Sequence, residues 1–166
     1  MVYAGFFAEL ISALLPLRES NEAVYDFTCL VFKTLESRED PWPVAMWGAM
    51  GVLARAGFAP SFGACALCGC DPSAPLFFSA EAGGIVCERC RGSSGYPDEL
   101  HEITAGAART LDLLSSSDAA PVVNARGNVR WSATAALLDY IAETLGKRLN
   151  SASLVERIEA EPRLRE

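Results

Sequence analysis

A single histidine, His101, occurs in the 166 residues, and that scarcity narrows the available chemistry. A histidine-dependent nucleophilic pair or a histidine-rich metal site has one candidate at most. Lying close to Glu99 and Glu102, His101 reads as a solvated residue in the first turns of a helix. No apolar run reaches the ~18 residues that a spanning helix requires. Gly-rich loops that close on Lys-Ser or Lys-Thr, dinucleotide fingerprints and H-E-x-x-H are all missing. Carboxylates are numerous, but none forms an apolar-flanked pair of the kind that raises a pKa for acid catalysis. The sequence gives no support for an enzyme. Met1 to Phe7 is apolar yet lacks a basic leader, and Glu9 interrupts it. It does not read as a signal peptide, and the expected location is cytoplasmic.

Positive charge is also in short supply. The chain carries 14 basic and 21 acidic side chains, a net charge of −7. Residues 1–119 hold seven basic and fifteen acidic groups, whereas residues 120–166 hold seven and six. Nucleic-acid affinity rests largely on neutralised phosphates, so weak or absent binding of single-stranded DNA is expected. Any such contact would favour the C-terminal third, where Arg126, Arg130, Lys147 and Arg148 are candidates on charge alone.

What is present is a globular composition, 51% hydrophobic and 21% charged. A chain of this length can bury roughly 70% of the surface its unfolded form exposes. Tyr3, Phe6, Phe7, Leu10, Ile11 and Leu14 keep the spacing of a buried helical stripe, which Pro16 ends. Asn21 is placed to cap a second helix with Val24, Phe27, Val31 and Leu35 on one face. Asp40-Pro41 is a cap-then-first-turn arrangement for a third helix at about 43–56, unless Pro43 moves its start two residues on. Gly57 then takes the residue after the cap, Phe58 packs back on Leu53, and Pro60 forbids continuation. Residues 61–97, rich in Gly, Ser, Pro and Cys, read as turns and short strands inserted between helices. Leu100, Ile103, Ala107, Leu111 and Leu114 mark a fourth helix, followed by a polar loop from Ser115 to Gly127. Trp131, Leu138, Ile141, Leu145 and Leu149 give a fifth, and Leu154 with Ile158 a short sixth. The predicted fold is mainly α, a single helical domain over 1–166 in which 61–97 forms a four-cysteine module with short β strands.

Six cysteines in such a chain point to metal rather than disulfides. Cys65-Ala-Leu-Cys68 and Cys87-Glu-Arg-Cys90 make two C-x2-C knuckles separated by eighteen residues. That spacing fits one closed, structural zinc site, because tetrahedral zinc takes four thiolates at about 2.3 Å. Gly69 and Gly92 suit the tight turns after each knuckle, and Gly83-Gly84 supplies a hairpin turn between them. A dithiol oxidoreductase is the competing reading, but its thioredoxin-like βαβ context is missing. Cys70 is read as a spare thiol, and Cys29 as a small core residue.

Several of these features occur together in one known family. Ala8-Glu9-Leu10 precedes a leucine run. Leu53 leads through Ala56-Gly57-Phe58-Ala59-Pro60 to Cys65-Ala66-Leu67-Cys68-Gly69, and Phe77-Phe78, Gly83-Gly84 and Cys87-Glu88-Arg89-Cys90 follow in order. With the closing Lys147-Arg148-Leu149-Asn150-Ser151, the chain resembles the C-terminal helical, zinc-bearing region of RecO, the bacterial recombination mediator. The resemblance implies that Cys65, Cys68, Cys87 and Cys90 hold zinc. It also implies work in recombinational DNA repair, with RecR and the acidic, apolar-tipped tail of the single-stranded-DNA-binding protein as partners. The family begins with an OB-fold that has no counterpart before Tyr3, so the expectation is a partner-binding scaffold without that barrel. A zinc-stabilised adaptor unconnected with repair is the other reading.

Overall fold

Fourteen residues, Trp42–Arg55, make a helix (α3) so apolar that eleven of them are buried, and the other helices are arranged around it. The structure, a computed structural model, describes residues 1–15, 21–92, 100–120 and 122–160. A helix that is hydrophobic on all sides belongs in a core. Accordingly α3 packs against α1 (Val2–Leu14), α2 (Glu22–Ser37) and α5 (Ala105–Ser116). α1 contributes Tyr3, Phe6, Phe7 and Leu10, and α2 contributes Val24, Phe27 and Val31. Close approach of α2 depends on Gly51, where an added Cβ would stand 2.2 Å from the Phe27 ring. No helix among the described residues is long and apolar enough to cross a membrane.

Local capping follows the expected chemistry. Asn21 Oδ1 accepts from the Val24 N–H at 3.1 Å. Asp40 Oδ1 accepts from the Trp42 N–H at 3.1 Å, and Pro43 is accommodated in the first turn without moving the start. At the other end of α3, Phe58 N–H donates to Leu53 O at 2.8 Å and Gly57 N–H to Ala54 O at 3.1 Å, the paired closure of a Schellman motif. The Phe58 ring itself remains 45% exposed. Pro16 and the end of the cysteine insert at 93–97 lie outside the described residues.

Four expectations need correction. Residues 101–103 are a strand (β3, His101–Ile103) rather than helix: Ile103 pairs with Leu76, and Thr104 caps α5 by accepting from the Ala107 N–H at 3.1 Å. α6 (Gly127–Leu145) stops at Gly146, whose φ of 62° ends the helix before Leu149. In α7 (Ala152–Ala160) the buried positions are Ala152, Val155 and Glu159, while Leu154 is 41% exposed. Cys29 is only half-buried on α2, not a core residue.

Two polar clasps fasten α7 to the bundle. The Glu9 carboxylate, on α1, accepts from Asn150 N–H at 2.8 Å, Asn150 Nδ2 at 2.9 Å, Ser151 N–H at 2.9 Å and Ser151 Oγ at 2.6 Å. It thereby satisfies free donors at the start of α7 from a different helix. At the far end, the buried Glu159 receives Tyr3 Oη and is held by Arg130 through Nε and, at 3.1 Å, Nη2. Arg130 also reaches Asp40 Oδ2 at 2.8 Å and lies 4.8 Å from the Trp42 ring centroid. Burial and the Glu159 carboxylate hold the Tyr3 phenol well above its ordinary value.

The hydrogen bonds from Ser151 and Asn150 lower the Glu9 carboxyl from 4.5 to about 2. A carboxylate with a depressed folded-state pKa stabilises the fold above its unfolded value and loses that contribution as pH falls. Stability should therefore decline between about 4.5 and about 2. Glu9→Ala should remove this part of the acid dependence and cost about 1 kcal/mol at neutral pH, as lost caps do. Arg130→Met should cost about 3–5 kcal/mol by stranding Glu159, and adding Glu159→Leu should restore much of it. Urea denaturation across the acid range measures each effect.

Candidate metal centre

The chain returns from α3 through residues 61–69 to lie along a hairpin. β1 (Leu76–Ser79) pairs antiparallel with β2 (Gly84–Cys87), and β3 completes a sheet of order β2-β1-β3. The turn is longer than the expected Gly83-Gly84 pair: residues 80–83 form it, Gly83 has φ 74°, and Gly84 is already in β2. Gly84 is required for a different reason. A Cβ there would lie 2.1 Å from the Ser61 carbonyl oxygen, where the returning chain bridges to β2.

Successive side chains of a strand point to opposite faces. Phe78 and Ile85 join the main helical core, whereas Phe77 and Val86 join a second cluster with Cys65, Cys87 and Cys90. The hairpin is thus a wall between the helices and the cysteines.

The first knuckle is closed by Gly69 N–H to Cys65 O at 2.8 Å and Cys65 N–H to Cys70 O at 2.9 Å. Ala66 N–H to Ile85 O, at 2.7 Å, lays it on β2. The second knuckle forms where β2 passes into the helical turn α4 (Glu88–Arg91), so Cys87 and Cys90 face the first pair. Gly92, with φ −89°, takes an ordinary conformation and is not required there as glycine. The sulfurs of Cys65, Cys68, Cys87 and Cys90 all lie within 4.8 Å of one another. Cys68 Sγ and Cys87 Sγ are 3.8 Å apart, which matches the edge of about 3.8 Å expected for a tetrahedron with 2.3 Å metal–sulfur bonds. Three of these cysteines are buried and Cys68 is exposed. All six cysteines are free thiols.

The electrostatics favour a cation at their centre. Burial pushes the Cys65 thiol up, but the N–H groups of Cys87, Cys68 and Leu67 outweigh it and hold it below the ordinary value. The N–H of Cys70 lowers Cys68, and that of Cys90 lowers Cys87. Burial and the neighbouring sulfurs push Cys90 up to about 12. Backbone donors therefore favour ionisation of three sulfurs, and a metal ion is what would let the fourth ionise beside them. A set of four thiolates suits a soft or borderline ion and leaves no position for water.

Two neighbours went unforeseen in the sequence. Arg89 Nη2 stands 3.9 Å from Cys68 Sγ, and the Arg91 guanidinium lies 4.2 Å from the Phe77 ring centroid. Both sit in or beside the second knuckle, the one available clue. The basic candidates do not converge. Arg126 is exposed and bonded to Asn124 Oδ1 at 3.0 Å, and Arg130 is committed to the Glu159 clasp. Lys147 and Arg148 lie beyond the other end of the 19-residue α6, roughly 28 Å away at 1.5 Å per residue. There they edge an open cavity of about 730 Å³ that also holds Glu81, Asp139 and Glu143, and Arg148 pairs with Glu156.

The class so defined is a helical protein that carries a four-cysteine hairpin module. The family model described as Recombination protein O C terminal matches residues 1–153, and the chain belongs to that family. The DNA repair protein RecO of Symbiobacterium thermophilum is 29% identical over 167 residues, spanning 95% of this chain and 64% of that protein. That of Pelotomaculum thermopropionicum is 30% identical over 162 residues, spanning 96% and 62%. That of Desulforudis audaxviator is 32% identical over 91 residues, spanning 55% and 36%. The chain thus spans less than two thirds of the length of these relatives.

Cys87→Ala should abolish metal binding and unfold the hairpin, whereas Cys70→Ala should leave metal content unchanged. Elemental analysis of protein purified without chelator, with amide exchange over residues 76–87, reports both.

Proposed function

We propose that this chain is the zinc-stabilised, protein-interaction part of a RecO-type recombination mediator acting in DNA repair in the cytoplasm. The family match over residues 1–153 carries this reading, and the relatives' shared name, DNA repair protein RecO, supports it. In this role the chain is not an enzyme. Zinc is the favoured ion because a redox-inert, tetrahedral centre serves a scaffold, and it would be held by Cys65, Cys68, Cys87 and Cys90. Recombinase loading and strand annealing belong to the assembled mediator, with RecR as a partner. With a net charge of −7 this chain contributes little direct affinity for single-stranded DNA.

The second partner in this reading is the acidic, apolar-tipped tail of the single-stranded-DNA-binding protein. An apolar tip needs an apolar seat. The groove between α1 and α2, about 730 Å³ and lined by Ile11, Leu15, Val24 and Tyr25 with Glu22 as its one carboxylate, offers a more apolar seat than the cavity beside Lys147 and Arg148. The carboxylates of Glu81, Asp139 and Glu143 in that cavity would repel an acidic peptide. Tyr25, 67% exposed, is the aromatic anchor of the preferred groove.

Fluorescence anisotropy with a labelled tail peptide tests this. Tyr25→Ala should weaken binding roughly tenfold, as loss of an aromatic anchor does. Lys147→Glu with Arg148→Glu should change it little. No binding to the unaltered chain would remove the partner assignment, and the reverse pattern would move the seat to the far end of α6.

A further inference from the structure

The first knuckle lies on the β2 side of the sheet, and the β3 side borders a groove of its own. Among the described residues β3 pairs with β1 alone, so its outer side is a sheet edge. α6 runs beside that edge and is fixed to its end, where the Thr104 N–H donates to Ser132 Oγ at 3.4 Å. Between them lies an open cavity of about 420 Å³, lined on its sheet side by the consecutive residues His101 to Thr104. It adjoins the cavity of about 730 Å³ beside Glu81 and Glu143, since His101 and Asp139 line both. The helix shows why the two make one trough. Asn128, Trp131, Ala135, Asp139, Ala142 and Gly146 recur at steps of three and four residues, a single stripe along α6, and none of them is buried. From Asn128 to Gly146 the trough runs roughly 27 Å at 1.5 Å per residue, the span of about eight extended residues. Its carboxylates are Glu81, Glu102, Asp139 and Glu143, while Lys147 and Arg148 stand together at the end beyond Gly146.

We propose that the trough between β3 and α6 is a docking surface for an extended, arginine- or lysine-bearing segment of a partner protein, added to the edge of β3 as a further strand. An edge strand is a ready template for pairing with another chain. Main-chain groups of the added segment meet the outer side of β3, and alternate side chains turn towards α6. There a cation can lie on the Trp131 ring while Asp139 and Glu102 accept its N–H groups. Ala135 and Ala142 leave room for the long side chains that bring such charges in. β3 has three residues, so its ladder is short and the charged contacts supply part of the affinity. The same carboxylates turn away nucleic acid and acidic peptides. This surface is separate from the α1–α2 groove and from the metal centre, and it stands whether or not the tail peptide binds there.

The unaltered full chain is titrated with a fluorescein-labelled peptide of about eight residues in which Arg and Val alternate. Two related peptides replace every Arg by Glu or every Val by Pro. Anisotropy should report saturable binding of the Arg-Val peptide and none of the Glu-Val peptide. The Arg-Pro peptide keeps the charge but loses main-chain donors, and should bind roughly tenfold more weakly. Asp139→Lys with Glu143→Lys should weaken Arg-Val binding roughly tenfold or more, as should Ala135→Phe, which fills the trough. Glu36→Lys with Glu39→Lys, the same charge change at the end of α2, should weaken it less than about threefold. Peptide binding should also shift tryptophan emission, and Trp131→Phe should remove that shift because Trp42 and Trp47 are buried. In the unaltered chain, amide exchange should slow at residues 101–104. Absent saturable binding, equal affinity for the Arg-Val and Arg-Pro peptides, equal losses in the two charge-reversed pairs, or slowed exchange confined to α1 and α2 would each overturn the proposal. Exchange in the unaltered chain decides the matter even if the variants fold poorly.

Discussion

Four sulfurs converging within 4.8 Å are the constraint on which the cysteine-bearing, non-helical part of this molecule depends. The first knuckle belongs to a returning coil and the second to the end of a hairpin. Thiolates so close together repel unless a cation lies between them. An ion at that point changes mutual repulsion into a common attachment, and in small modules of this kind such binding is worth about 10–16 kcal/mol, comparable with the stability of a whole domain. The hairpin carries the effect inward, since Phe78 and Ile85 belong to the helical core while Phe77 and Val86 belong to the cysteine cluster. The cysteine cluster and the helix packing are therefore linked through one pair of strands.

The helical part relies on a different device. α3 supplies apolar surface in every direction, whereas the short α7 fully buries only Ala152 and Val155 of its apolar side chains and is also fastened by charge and hydrogen bonding. Glu9 serves its start from across the bundle, and Glu159 anchors its far end to Arg130. Both contacts join parts of the chain more than twenty residues apart. Arg130 is thus an organising residue, and its position beside Trp42, Tyr3 and Asp40 explains why a cation is tolerated half-buried there.

Much of this was legible in the sequence. Helical periodicity located α1 and α2, start and stop signals at Asp40-Pro41 and Gly57 located α3, the Asn21 and Asp40 caps follow from side-chain chemistry, and C-x2-C spacing identified all four clustered cysteines. The errors have local physical causes. Leu100 and Ile103 satisfy a helical spacing with Ala107, yet the β-branched Ile103 gains a partner in Leu76, and Thr104 is a better cap than a helix interior residue. Leu149 likewise fits the spacing of α6, but Gly146 had already ended it. The basic candidates were chosen by charge, and charge alone does not reveal that Arg130 is spent internally. Arg89 could not be foreseen as a neighbour of sulfur, because that contact exists only once the two knuckles meet.

The two-sided burial of β1 bears on how this chain avoids misfolding. A strand with one wet face can slide along its partner by an even number of residues and keep greasy side chains inward. Here Leu76, Phe77, Phe78 and Ser79 are all buried, and β2 ends on a cysteine whose sulfur must reach a fixed point. Any displacement along the ladder would carry Cys87 some 3.4 Å per residue away from its three companions. The cysteine cluster thus acts as a ruler for strand alignment, and a misaligned hairpin separates its sulfurs.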